Sequence, residues 1–440
     1  MKNVKKVIVF VLLFFFAFFF LYFGFNIFAD EIWNYGFAYN ISRELIPYRD
    51  FNMIVTPLYS FILSIFIHLL GHHLYVMYIF NSLIITILVF IMYKKIKINV
   101  IFILPILLIL YSSGYNLLSV FLMVLLLYMF DKEFKYKDFI LGLIIGLFIL
   151  TKQTVGFFVL LPLFILVKNK SKFCIGVIIP VLVFVIYLLN NSALYNFIDY
   201  CFLGMFNFTS NNKYLFFLPL EILVVIILLY LYKSKLVGGD MWLVLMFQII
   251  VVPIFDTYHF FLGFLIFIYY LLLKFRINIL LKVLFFTLGV VVIISLMDKP
   301  KLFSNNKSYL YGKNLVFDHN VVGFVADYYS NSLDIYDNVF LFSDFAYMSK
   351  MNNNYTLNKF DLINDGNMGY NGYKKYIDEI DNMCIDSSCL FVIDKNYVDI
   401  SKGRCKSPAT NQTNLDIIRY VNNNYKLFDS KYGFNFYTNE

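Results

Sequence analysis

Long apolar runs, broken by short polar clusters, mark most of this chain. Apolar windows fall near residues 7–27, 74–93, 100–111, 116–130, 139–150, 154–168, 173–190, 214–232, 241–255, 259–273 and 278–297. Each reads as a helix, and together they predict about eleven membrane spans. A simple span needs roughly 20 apolar residues, so the shorter windows are expected to tilt or to extend into their polar flanks. The stretch 58–70, LYSFILSIFIHLL, is too short to cross and suits a helix lying in the membrane interface. The first run follows MKNVKK and is too long for a signal peptide. No small-x-small cleavage site follows it, so it reads as an uncleaved first helix.

The pattern changes near residue 298, where Asn, Asp, Ser, Lys and Tyr become frequent. DNVFLFSDF (337–345) and CLFVIDK (389–395) read as strands. NGYKKYIDEIDNM (371–383) and LDIIRYVNNNY (415–425) read as helices. Strands alternating with helices predict a small α/β domain. It contains neither a P-loop nor a dinucleotide fingerprint. The expected division is therefore a transmembrane part, 1–297, with a first outer loop at 28–73, and a soluble part, 298–440.

Composition supports the membrane reading and removes another. The chain is 61% hydrophobic and 21% aromatic, with mean hydropathy +0.73, well above the apolar share of a soluble domain. Its net charge of +8 would suit nucleic acid, but the distribution argues against that partner. Residues 1–297 hold 21 Lys and Arg against 11 Asp and Glu, while residues 298–440 hold 15 against 17. The excess follows the loops. With the N-terminus in the cytoplasm, the inner loops carry Lys94, Lys95, Lys97, Lys132, Lys135, Lys137, Lys168, Lys170, Lys172, Lys233, Lys235, Lys274 and Arg276. The outer loops carry only Arg43, Arg49, Lys152 and Lys213. This is the positive-inside bias, and its parity puts the tail outside the cell membrane. There, Cys384 and Cys389 could pair, leaving Cys405 over. Cys174 and Cys201 fall in or beside apolar runs and read as inert.

Four polar features fall on the outer side. The first is the loop Ala29–Leu58, with Asp30, Glu31, Arg49 and Asp50. The second is the turn LTKQTVG around Lys152. The third is the loop holding Asp199, and the fourth is the turn PIFDTYHFF with Asp256 and His259. Ionisable groups at membrane depth are costly and mark function by default. Each also has a plainer role. Asp30 can cap a helix, Lys152 can snorkel, and Asp256 and His259, three apart, can bond each other. Glu221, inside a span, either pairs structurally or lines a cavity. A carboxylate can act as general base on a hydroxyl, and a lysine, arginine or histidine can neutralise a departing phosphate. That set suits sugar transfer from a polyprenyl-phosphate carrier.

The motif Asp30-Glu31, then an aromatic-rich helix, then Tyr48-Arg49-Asp50-Phe51 and Pro57-Leu58, resembles the start of GT-C superfamily glycosyltransferases. The branch is that of the dolichyl-phosphate-mannose protein mannosyltransferases and the bacterial aminoarabinose transferases. The TKQT and DTYHF turns are similar to elements of bacterial members. The chain departs in having Thr56-Pro57 where two prolines are usual. The resemblance implies a GT-C-like helical fold with an extracytoplasmic domain and inverting transfer, with or without a metal. It gives Asp30 the catalytic role, with Glu31 beside it. Lys152, His259 and Arg49 are the candidates for the donor phosphate. Asp256, Asp199 and Asp50 are candidates for a supporting acid or a divalent cation. The expected partners are a polyprenyl-phosphate-sugar donor, membrane lipid, and a glycan or protein acceptor. The alternative is a multi-pass transporter or lipid-linked glycan flippase, although no internal repeat of the transporter kind is visible.

Overall fold

The computed structural model describes residues 2–23, 29–96, 114–207, 218–252, 257–275, 308–311, 314–317, 335–342, 368–370, 372–394, 398–399, 404–405, 412–431 and 434–439. Among them the chain is mostly helical, with 14 α-helices and a small C-terminal mixed sheet of four strands. The expected apolar runs at 100–111 and 278–297 lie outside the described residues.

The helical part runs α1 (Lys2–Phe23), α2 (Ala29–Ser42), α3 (Leu58–Leu70), α4 (Leu74–Ile96), α5 (Gly114–Phe130), α6 (Lys137–Ile149), α7 (Gln153–Leu166) and α8 (Lys170–Asn190). A short α9 (Leu194–Ile198) then winds into a π-turn, Asp199–Leu203, before α10 (Leu218–Lys233), α11 (Met241–Phe247) and α12 (Thr257–Lys274). Among the described residues two helices, Leu74–Lys94 and Lys170–Asn190, are long and apolar enough to cross a membrane. Others are shorter than a simple span needs. At 1.5 Å per residue, the 13 residues of α6 and 14 of α7 span only about 20 Å each. Their ends are set by local chemistry. The α6 chain stops at the Thr151 turn, where the Thr151 hydroxyl donates to Leu147 O at 2.8 Å. Helix α8 starts at Asn169, whose side chain accepts from Lys172 N at 2.9 Å, an ordinary N-cap.

Helices α6 and α8 pack closely through small residues. Gly142 and Gly146, four apart on α6, face Gly176 and Pro180, four apart on α8. A Cβ at Gly142 would lie 2.2 Å from Phe173 O, and one at Gly176 would lie 2.3 Å from Phe139 O. This is close backbone approach of the small-xxx-small type. The opposite face of α8 carries exposed Ile175, Ile178, Ile179, Leu182, Val183 and Ile186.

In the C-terminal part, β3 (Asn338–Phe342) pairs in parallel with β4 (Cys389–Asp394) through a crossover containing α13 (Gly372–Cys384). The crossover helix buries Tyr376, Ile380 and Cys384, at i, i+4 and i+8, which is one helix face. Helix α14 (Gln412–Asn424) leads to the hairpin β7 (Lys426–Lys431) and β8 (Phe434–Thr438), and the strand order is β3-β4-β8-β7. The hairpin was not foreseen from the sequence. Two short antiparallel pairs, β1 (Ser308–Tyr311) with β2 (Asn314–Phe317) and β5 (Val398–Asp399) with β6 (Arg404–Cys405), stand apart from this sheet. Cys384 and Cys389 form a disulfide, Cα to Cα 5.8 Å. The turn it closes is tied to β3: the Asp337 carboxylate accepts from Ser388 N at 2.9 Å and from its hydroxyl at 3.0 Å, which holds Asp337 below the usual carboxylate range.

Candidate functional site

The turn between α6 and α7 is where distant segments meet. Lys152 stands at its end in extended conformation, φ −147° and ψ 95°, just before α7. Its backbone N–H donates to Phe148 O at 2.9 Å, and its side chain, which has no acceptor, makes no cap bond to the helix. Lys152 is buried, 8% exposed, and its ammonium points inward. It donates to Asn116 Oδ1 at 2.9 Å and to Ile250 O at 3.4 Å, and lies 5.7 Å from the Tyr115 ring centre. Asn116, wholly buried in the first turn of α5, places Nδ2 3.5 Å from His259 Nε2. His259, on the first turn of α12, is also buried. Three helix starts thus bring a cation, an amide and an imidazole together.

The same turn is held from two further sides. Leu58 N donates to Leu150 O at 2.8 Å. Gln153 Nε2 donates to Ile54 O at 3.4 Å and to Cys201 O at 3.1 Å. The segment closing the first loop and the π-turn after α9 therefore both grip the Lys152 turn. Burial pushes the Cys201 thiol well up and keeps it unreactive.

The sequence candidates are distributed as follows. Lys152 and His259 come together, joined by Asn116. Asp30 and Glu31 lie in the first turn of α2, and their side chains are outside the described residues. Asp256 is also outside the described residues. Arg49 pairs bidentately with Asp50, Nε to Oδ1 at 2.7 Å and Nη2 to Oδ2 at 3.0 Å. That hydrogen-bonded carboxylate holds the guanidinium even more firmly protonated than usual. Asp50 Oδ2 also accepts from Ile46 N at 2.8 Å, so the pair closes the loop tip. Tyr48, at φ +70°, is buried beneath it and donates to Val55 O at 2.8 Å. A non-glycine residue in that region is strained and must be held by its surroundings. Stacking of Phe51 on Phe37 and the packing of Tyr48 on Phe197 supply the hold.

Asp199 connects the helical part to the C-terminal part. Its carboxylate, 3% exposed, accepts from Lys375 Nζ at 2.5 Å and Tyr370 N at 3.0 Å. Gly369, at φ +80°, lets the chain pass so close that a Cβ there would sit 2.2 Å from Asp199 Oδ2. Around this pair, one apolar cluster joins Tyr200 and Cys201 to Met368, Tyr376 and Ile380. Lys375→Ala strands a buried carboxylate, whereas Asp199→Ala leaves a lysine that is already 42% exposed. Lys375→Ala is therefore expected to cost about 1–2 kcal/mol, discounted for that exposure. Adding Asp199→Asn to it is expected to recover part of the loss. Hydrogen exchange at the Tyr370 amide measures both, and equal, additive effects would contradict this account.

Glu221, in the first turn of α10, is buried, and both carboxylate oxygens lack a hydrogen-bond partner among the described residues. Among the described residues no group of three or more His, Cys, Asp or Glu side chains is placed to hold a metal ion. Sequence reasoning missed Asn116 and Gln153. The available signal was an amide in the first turn of an otherwise apolar helix. Comparison with known protein families, curated proteins and solved structures finds no match.

Proposed function

We propose that this chain is a polytopic cell-membrane glycosyltransferase of GT-C type, with its N-terminus in the cytoplasm and residues 298–440 outside. It moves a sugar from a polyprenyl-phosphate-linked donor to an acceptor hydroxyl at the outer face, in the synthesis of an envelope glycan or glycoprotein. The observation that carries this reading is the buried Lys152–Asn116–His259 cluster. It is bonded through Gln153 and Leu150 to the segment that closes the Asp30 loop. The exposed apolar stripe of α8 supports a lipid environment, since such a surface is unfavourable in water. The Cys384–Cys389 disulfide supports an oxidising compartment for the tail.

In this reading the lipid phosphate sits at Lys152 and His259, its chain running between helices. Asp30 takes the proton of the acceptor hydroxyl, whose oxygen attacks the anomeric carbon. The bond from that carbon to the phosphate oxygen breaks, and its electron pair leaves with the lipid phosphate. Lys152 balances the charge that builds there. Glu31 stands beside the base, and Asp256 is the nearest carboxylate in sequence to orient His259 or to hold a divalent cation.

The test uses the full chain in lipid nanodiscs with radiolabelled polyprenyl-phosphate sugars and a membrane extract as acceptor. Release of polyprenyl phosphate by the wild type is expected. Asp30→Asn is expected to lower it on the order of 10³-fold, the scale of lost general-base catalysis. Binding without release by the wild type would favour the flippase reading, and a fully active Asp30→Asn enzyme would remove Asp30 from the mechanism.

A further inference from the structure

We propose that Asn116 is a positioning residue that fixes His259 as a neutral imidazole with its proton on Nδ1, because one amide is held between that ring and the Lys152 ammonium. An ammonium has three donors and no acceptor. The atom of Asn116 lying 2.9 Å from Lys152 Nζ must therefore be the amide oxygen. That orientation leaves the NH2 group, donor only, towards His259 Nε2 at 3.5 Å. An NH2 group can bond Nε2 only if that nitrogen has a lone pair, so the ring proton belongs on Nδ1. The partner of one imidazole nitrogen decides the state of the other. An imidazolium would set N–H against N–H and place a second cation beside Lys152 in a buried space. All three groups are at least nine-tenths buried, and the amide itself is wholly so.

The consequence deepens the proposed function and rests on it. Lys152 supplies charge to a bound lipid phosphate, while His259 acts as a neutral hydrogen-bond donor through Nδ1–H. Asn116 keeps the two distinct, and is not itself expected to touch substrate. An aspartate in its place has nearly the same shape but accepts on both oxygens. It would draw the proton to Nε2 and reverse the tautomer.

The experiment is nitrogen-15 spectroscopy of histidine-labelled full chain in lipid, with the His259 signals assigned by their loss in His259→Gln. The wild type is expected to show neutral His259 with Nδ1 protonated. Asn116→Asp is expected to move the proton to Nε2 or to charge the ring. Asn116→Leu is expected to lose the single-tautomer signature and to bind a short-chain polyprenyl phosphate about tenfold more weakly, by analogy with loss of a residue that orients a metal-binding histidine. A purely spatial role for Asn116 would leave the tautomer unchanged in the isosteric Asn116→Asp chain, and that result would overturn the inference. So would a wild-type ring protonated on Nε2. The spectroscopic result does not depend on catalysis. A wild type with the expected tautomer but no sugar transfer would sink the proposed function alone.

Discussion

Gly146→Leu is expected to separate α6 from α8 and to leave little folded protein in detergent. A Cβ at this position would stand 2.4 Å from Pro180 Cγ and 2.7 Å from Val177 O. One neighbour is a closed ring and the other is backbone, so neither can turn aside, and the helices must part. In an exposed helix, Gly→Ala would gain about 1 kcal/mol in helix propensity. Here the sign is expected to reverse, with Gly146→Ala costing about 2 kcal/mol and Gly146→Leu more than about 3 kcal/mol. Gly142→Ala should behave alike, because its Cβ would meet Phe173 O and lie 3.1 Å from the Gly176 Cα. The double variant should lose less than the sum, since helices already parted accept the second methyl cheaply. Thermal melting followed by size-exclusion profile reads all of these. A Gly146→Leu chain that melts with the wild type would show that this seam does not hold α6 in place. The prediction bears on the site because α6 ends at the turn that carries Lys152.

That seam was not visible in the apolar pattern, which ranks glycine as one more small residue and says nothing of which helix it faces. What the pattern does locate is helix existence. The stretch 58–70 was expected as a short helix and is one, Leu58–Leu70. Both strands expected near 337–345 and 389–395 form: β4 is central in the sheet, with Leu390, Phe391, Val392 and Ile393 all buried, and β3 lies at its edge. The β7–β8 hairpin escaped because Lys426–Lys431 is an exposed edge strand with little apolar signal. The site was partly legible for the same reason that ions are rare in apolar surroundings. Lys152 stands out by its charge and His259 as an ionisable ring in an apolar stretch. Asn116 does not, since a neutral amide in a helix usually has only local partners. Its partners here lie 36 and 143 residues away in sequence. Asp199 is a different case. Its acidity drew notice as a site candidate, and the structure pairs it with Lys375, 176 residues on.

Lys152→Met is expected to lower lipid-phosphate release by roughly 10²–10³-fold, the usual loss when one electrostatic stabiliser of the transition state is removed, with the fold intact. Methionine keeps the length and most of the apolar stem, so packing against the Tyr115 ring survives. The charge is lost, along with the hydrogen bonds to Asn116 Oδ1 and Ile250 O. Removing an ammonium from a buried place also removes its desolvation cost, which is often larger than the attraction it gains. Melting is therefore expected to stay level or rise slightly, and this separates a binding role from a structural one. Lys152→Arg should not rescue fully, because a planar fork cannot occupy the place of a compact ammonium between an amide oxygen and a carbonyl. Arg49→Met makes the comparison. Its guanidinium is exposed and committed to the neighbouring Asp50, so only a small change in rate is expected. Initial rates and melting on the same nanodisc samples decide among the outcomes. A Lys152→Met chain with full rate would remove Lys152 from the phosphate site. Parallel loss of rate and melting would make it a structural lysine. Loss of rate alone, with Arg49→Met nearly normal, would place the developing charge of the leaving group at the α6–α7 turn.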